Sequence, residues 1–172
     1  MSVNTIIQNK IFQLDQLIYQ VNSSKIKGYT VGFTNGCFDI LHKGHVTYLA
    51  EAKNNCTLLI VGVNADESVK RLNKGINRPV NDENSRAYVL AGLVFVDAVT
   101  IFKEDTPLDL IKLIKPDFLF KGGDYDENEI NPKSKKYIVG SDVVKAYGGK
   151  VITIPFVEGY STTSILEKSA KQ

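Results

Sequence analysis

The chain has 172 residues, enough for one domain with a proper core and too few for two comfortable ones. Hydrophobic residues make up 43% and charged residues 23%, the profile of an ordinary globular domain. Lys+Arg 21 against Asp+Glu 19 leaves a net charge of +2, which excludes the footprint of a nucleic-acid or anionic-membrane binder while leaving room for a local basic site.

The first ten residues, MSVNTIIQNK, lack the basic-then-apolar pattern of a leader, and no apolar run approaches the ~18 residues of a membrane span. The expected location is the cytoplasm. Ile7, Ile11, Leu14, Ile18 and Val21 recur at steps of four and three. This spacing predicts one amphipathic helix, packed on the domain and stopped by the polar stretch 22–28. Residues 29–33 are short, apolar and β-prone, and read as the first strand.

The stretch that follows, VGFTNGCFDILHKGH over 31–45, runs from that strand through a glycine turn to two histidines. Gly36 is expected to let the backbone turn tightly and approach a ligand. Gly44 is expected to let the chain enter a helix with side chains pointing back at the loop. His42 and His45 lie three apart and share a face in a helical turn. Two imidazoles beside helix-terminal N–H groups suit an anion that gains charge during reaction.

Residues 46–54 continue as a helix. Residues 57–63 (TLLIVGV) form a continuous apolar strand of the kind buried on both faces of a parallel sheet. Asn64 and Asp66 follow at its carboxyl end, where ligands gather in open α/β sheets. A short helix spans 66–72. The loop 73–79 carries Lys70, Arg71, Lys74 and Arg78 in or beside it. Residues 82–92 read as a helix with Val89, Leu90 and Leu93 on the apolar side and Arg86 pointing elsewhere. A third strand covers 97–102. Thr106 and Pro107 make a cap and first turn for a helix over 108–115.

The fourth strand, 117–120, leads straight into Lys121-Gly122-Gly123-Asp124-Tyr125. Residues 126–136 are polar loop, 139–147 helix and 150–154 the fifth strand. After a loop at 155–160, Ser161, Thr162 and Thr163 open a last helix. Strands alternating with helices predict an α/β fold: a single Rossmann-like domain over 1–172, with a five-stranded parallel sheet and helices on both faces.

The motifs narrow the chemistry. No G-x-G-x-x-G follows the first strand and no G-x-x-x-x-G-K-[ST] is present, which disfavours a dinucleotide dehydrogenase and a P-loop enzyme. His42, His45, Cys37 and Asp39 are too few and too crowded for a closed zinc site. A Cys37–His nucleophilic pair lacks a third group to orient the imidazole. Cys37 and Cys56 read as reduced, mostly buried thiols. A Ser-Thr-Thr helix start is by default a cap, and KGGD by default a tight turn.

Taken together, His42-Lys43-Gly44-His45, TNGCFDILHKGH at 34–45, RPVN at 78–81, KGGDY at 121–125 and EGYSTT at 158–163 resemble the H-x-G-H nucleotidyltransferases. Among these the chain is similar to the heptose 1-phosphate adenylyltransferases, over nearly its whole length. The resemblance implies transfer of AMP from ATP to D-glycero-D-manno-heptose 1-phosphate, on the way to a surface-glycan or lipopolysaccharide precursor. His42 and His45 would be catalytic. Thr34, Asn35, Gly36, Cys37, Phe38, Gly44, Lys121, Ser161, Thr162 and Thr163 would bind nucleotide and phosphates. Asp39, Asn64, Asp66, Lys70, Arg78, Arg86, Gly123 and Asp124 are further candidates for substrate contact. Mg²⁺ would bind mainly through the phosphates, without a dedicated protein site.

A separate sugar kinase and a homodimer are also implied. Related glycerol-phosphate cytidylyltransferases share H-x-G-H and S-T-T, and a nucleotide-sensing module without chemistry is the other class. Asn35 and the segment Phe156-Val157-Glu158-Gly159-Tyr160 favour the sugar-phosphate enzyme. The basic stretch 131–137 (NPKSKKY) has the look of an addition to a shorter loop; it could touch substrate or only decorate the surface, and the surface is the expectation.

Overall fold

The computed structural model describes residues 2–72 and 78–169, so Lys74 and most of the 73–79 loop lie outside the described residues. Its most fully buried strand is β2 (Leu58–Asn64), buried along its entire length. Leu58 and Ile60 enter the apolar cluster on one face, and Leu59, Val61 and Val63 the cluster on the other. A strand sandwiched this way has no polar face to alternate with, which is why its sequence is a continuous apolar run.

β2 pairs in parallel with β1 (Val31–Gly36) and β3 (Ala98–Phe102). β4 (Phe118–Gly122) pairs in parallel with β1 and with β5 (Lys150–Ile154). The order is β3-β2-β1-β4-β5. The chain crosses from β3 at one edge to β4 beside β1. Connections from β1 and β4 therefore diverge, and a crevice opens outside their carboxyl ends.

Two helical layers cover the sheet. On one face Leu17 and Val21 of α2 (Leu14–Ile26), Ile111 and Ile114 of α6 (Leu108–Ile114) and Val144 of α7 (Ser141–Ala146) share a core with Val31, Phe33 and Leu119. On the other, Leu49 and Ala52 of α3 (Lys43–Asn54) and Ala87 and Leu90 of α5 (Glu83–Ala91) pack with Phe120 and Val99. Short helices α1 (Val3–Gln8) and α4 (Asp66–Arg71), and the last helix α8 (Thr162–Ser169), complete the order. No described helix is long and apolar enough to cross a membrane.

The structure corrects the leading helix. It is two helices, α1 and α2, parted where Ile11 forms a parallel bridge to Val99. Phe12 N donates to Val99 O at 2.9 Å, and Val99 N donates to Lys10 O at 2.8 Å. These bonds satisfy the open edge of β3, which helical continuity would leave bare. The apolar spacing survives because it serves two layers: Ile7 and Ile11 pack on one core, Leu17 and Val21 in the other.

The inner face of α5 is also corrected. Val89 is half exposed, whereas Arg86 is 2% exposed and lies with Ala87, Leu90 and Ala91. A charge is tolerated there because carbonyls and a carboxylate surround it.

Candidate functional site

The turn after β1 is built by Phe38, not by Gly36. Phe38 adopts the left-handed conformation at φ 46, and Gly36 remains in the strand. The glycine matters for space: a Cβ there would lie 3.0 Å from the Phe38 ring. His42 then caps α3, its Nδ1 accepting from His45 N at 3.4 Å. A Cβ on Gly44 would sit 3.0 Å from the His42 ring and 3.3 Å from Tyr160 Cβ, so the glycine admits both side chains.

The two imidazoles stack with centroids 3.8 Å apart and planes 19° from parallel. Phe38 meets His45 edge-on at 5.2 Å. Burial lowers the pKa of His42. Burial and then the neighbouring His42 depress that of His45 to about 4, offset only weakly by the Ile40 backbone. Its Nδ1 is buried without a hydrogen bond of normal geometry. Both shifts favour the neutral rings, and the approach of an anion would favour their protonation.

The pair opens onto a cavity of about 1120 Å³ at the carboxyl ends of β1, β2 and β4. Of the residues expected from sequence, Asn35, Gly36, Cys37, Phe38, Gly44 and Lys121 line it. So do Ser161, Thr162 and Thr163, and so do Asp39, Asn64, Arg78 and Asp124. Ser161 Oγ accepts from Ser164 N at 3.0 Å, so the default role as a cap is filled. The neighbouring Thr162 and Thr163 still face the same space as the histidines.

Five expected residues do not line it. Thr34 is buried beneath the floor, its Oγ1 2.7 Å from the Tyr48 hydroxyl. Lys70 is exposed away from the cavity. Gly123 packs against the end of β5, where a Cβ would lie 3.2 Å from Pro155 Cα. Arg86 uses four of its five guanidinium N–H donors on Cys37 O, Asn64 O, Asn81 O and Asp66 Oδ1, and it does not line the cavity. Asp66 is its partner at 2.6 Å. Arg86 and Asp66 therefore hold the site's backbone together.

Asp39 plays a similar part while touching the cavity. Burial works to raise its pKa, but the amides of Asn81 and Val80 and the Arg78 guanidinium outweigh it and hold the carboxyl low. These donors lie at 3.0, 2.8 and 2.9 Å.

Sequence reasoning missed Tyr48, Tyr125, Phe156 and Tyr160, which also line the cavity. The 131–137 stretch is largely surface-exposed and also borders the cavity. Pro132, Ser134, Lys135 and Tyr137 form part of the cavity wall. Only the basic composition of that stretch hinted at an anion.

The comparisons with known proteins bear on this geometry. A family model described as cytidylyltransferase-like matches residues 33–168. The chain belongs to the cytidylyltransferase-like family of nucleotidyltransferases. The bifunctional protein HldE of Hyphomonas neptunium is 48% identical over 159 residues, which is 92% of this chain and 31% of that protein. The HldE of Geobacter metallireducens is 49% identical over the same shares. The chain thus spans less than a third of the length of these relatives. A lipopolysaccharide core biosynthesis protein of Thermoplasma volcanium superposes with TM-score 0.57 at 30% identity, covering 78% of this chain and all of that one. A pantoate-beta-alanine ligase from Francisella tularensis shares the fold at TM-score 0.56 and 15% identity, covering 93% and 76% of the two chains.

In this cytidylyltransferase-like chain the matched span begins inside β1 and ends inside α8, so it takes in both the histidine pair and the Ser-Thr-Thr turn. Among the described residues no cluster of three His, Cys, Asp or Glu could hold a metal. The cavity carboxylates not engaged like Asp39 are Asp105, Asp124 and Glu158, and Asp105 is paired with Arg71.

Proposed function

We propose that this chain transfers AMP from ATP to a heptose 1-phosphate, giving ADP-heptose and pyrophosphate. The carrying observation is the stacked His42–His45 pair at the start of α3, sharing one cavity with the hydroxyl-rich start of α8. The HldE relatives and the Thermoplasma lipopolysaccharide core protein support the choice of sugar phosphate.

An oxygen of the sugar phosphate attacks the α-phosphorus in line. The bond from that phosphorus to the oxygen bridging to the β-phosphate breaks, and pyrophosphate leaves with the electron pair. No covalent enzyme intermediate is needed, and the protein's work is positioning and charge neutralisation. His42 and His45 donate to the phosphates and stabilise the charge that develops in the transition state. Asn35, Gly36, Cys37 and Phe38 border the nucleotide. Thr162 and Thr163, with free N–H groups at the start of α8, hold phosphate oxygens.

The donor set fits a magnesium ion carried on the phosphates, with Asp124 and Glu158 as the carboxylates within the cavity. When bound, the ion neutralises triphosphate charge. A single domain, a cytoplasmic location, a homodimer and a sugar kinase activity supplying the 1-phosphate belong to the same proposal.

The test is pyrophosphate release with Mg²⁺, offering ATP, CTP and GTP against both heptose 1-phosphate anomers and glycerol 3-phosphate. Release only with ATP and one heptose anomer is the expected result. Release with CTP and glycerol 3-phosphate overturns it in favour of the sister enzymes, and binding without release favours a sensing module.

A further inference from the structure

We propose that Lys135, on the loop between β4 and α7, binds a phosphate group of one of the two substrates. This rests on the phosphate-transfer reading of the cavity and adds a residue on the 131–137 stretch.

The loop is a built structure. Its base is closed by Asp126 N donating to Lys136 O at 3.0 Å. Inside it Ser134 N donates to Asn131 O, and Tyr137 N to Ser134 O. Asn128 N and Lys133 N bond to the side chains of Asp126 and Asn131 at 2.9 and 3.1 Å. Tyr137 hydroxyl reaches Asp142 of α7 at 3.0 Å, and Lys145 of α7 donates to Glu127 O. A compact loop with close ends, tied to the helix after it, presents its side chains in a set direction.

Four of its residues, Pro132, Ser134, Lys135 and Tyr137, face the cavity. Lys133 and Lys136, on the same loop, do not. The charge balance singles out Lys135. Arg78 lines the cavity but its charge is met by Asp39. Lys121 lines it and donates to Asn35 Oδ1. Both histidines have lowered pKa values. Among the described residues, Lys135 is the lining cation whose side chain has no ion pair or hydrogen bond within the protein. A nucleoside triphosphate and a sugar phosphate bring several negative charges into this space. An ammonium without an ion pair or hydrogen bond in the protein, set on this wall, adds a further complement to that charge.

The phosphate can come from the nucleotide or from the acceptor, and kinetics separate the two. KM for ATP and for the sugar phosphate would be measured for Lys135→Ala, Lys135→Arg, Lys133→Ala and Lys136→Ala. Calorimetry would follow the binding of ATP, sugar phosphate and inorganic pyrophosphate. Lys135→Ala is expected to raise KM for one substrate about 5-fold, with kcat within about 2-fold and recovery in Lys135→Arg. A rise confined to ATP assigns the nucleotide's phosphates, and one confined to the sugar assigns the acceptor's. Lys133→Ala and Lys136→Ala, which remove the same charge outside the cavity, are expected to change neither. Equal effects in all three alanine variants, or no effect in Lys135→Ala, overturn the proposal. If wild type binds these ligands but transfers nothing, calorimetry still decides the role of Lys135 while the proposed reaction fails on its own.

Discussion

His42 and His45 lie ring over ring at 3.8 Å, one capping the helix that carries the other. Stacked this closely and partly buried, the two imidazoles oppose each other's protonation. An arriving phosphate reverses that balance, so the pair can follow charge that builds on the ligand. Replacing either ring with asparagine keeps a polar side chain and removes the titrating group. His42→Asn and His45→Asn are each expected to lower kcat by ~10²-fold or more with thermal unfolding little changed. Pyrophosphate release and a melting curve on the same samples check both halves, and near-normal turnover in the two folded variants would sink the mechanism.

Stability should depend on pH through His45. Its pKa is near the ordinary 6.5 when unfolded and about 4 when folded. Between these values the unfolded chain holds the extra proton, so stability falls as pH drops from 6.5 towards 4 and levels off below. The shift bounds the loss at roughly 3 kcal/mol. Urea denaturation at pH 7 and pH 4.5 is expected to show a smaller difference in His45→Asn than in wild type. Asp39, held low, loses stability in the same direction at more acid pH, and its contribution remains in both proteins.

Arg86 is a buried charge that joins three backbone carbonyls and a carboxylate. Arg86→Met would leave Cys37 O, Asn64 O and Asn81 O short of a donor and Asp66 without its partner. A loss of about 3–5 kcal/mol is expected in urea unfolding. Arg86→Lys keeps the charge but not the fork of donors, and should recover only part of it. Full stability in Arg86→Met would contradict the bonding described.

Two glycines should separate stability from binding. A Cβ on Gly32 would lie 2.5 Å from Cys56 Sγ and 2.6 Å from Phe120 Cε2, both in the core. Gly32→Ala is expected to cost about 1–3 kcal/mol. A Cβ on Gly122 meets only the Phe156 ring at such distances, and that ring is 61% exposed and can swing away. Gly122→Ala should leave the melting temperature nearly unchanged and raise a substrate KM several-fold, because Phe156 lines the cavity. The opposite pattern would show that the ring is fixed.

The sequence by itself determined the parallel sheet, through the unbroken apolar run of β2, and the pairing of the histidines, through their spacing of three. Both are local signals: a strand buried on two faces has no choice of composition, and residues three apart share a helical face. Only the tertiary structure decided the rest. The leading helix broke because a sheet edge elsewhere needed partners at Lys10 and Phe12. Arg86 turned inward because Cys37, Asn64 and Asp66, distant along the chain, supplied acceptors beside the nearby Asn81. The 131–137 loop reached the cavity because its base closes on Asp126 and its end is tied to α7. At the sheet edge and at Arg86 a polar group found its partner far away in sequence, and no local pattern records such a meeting.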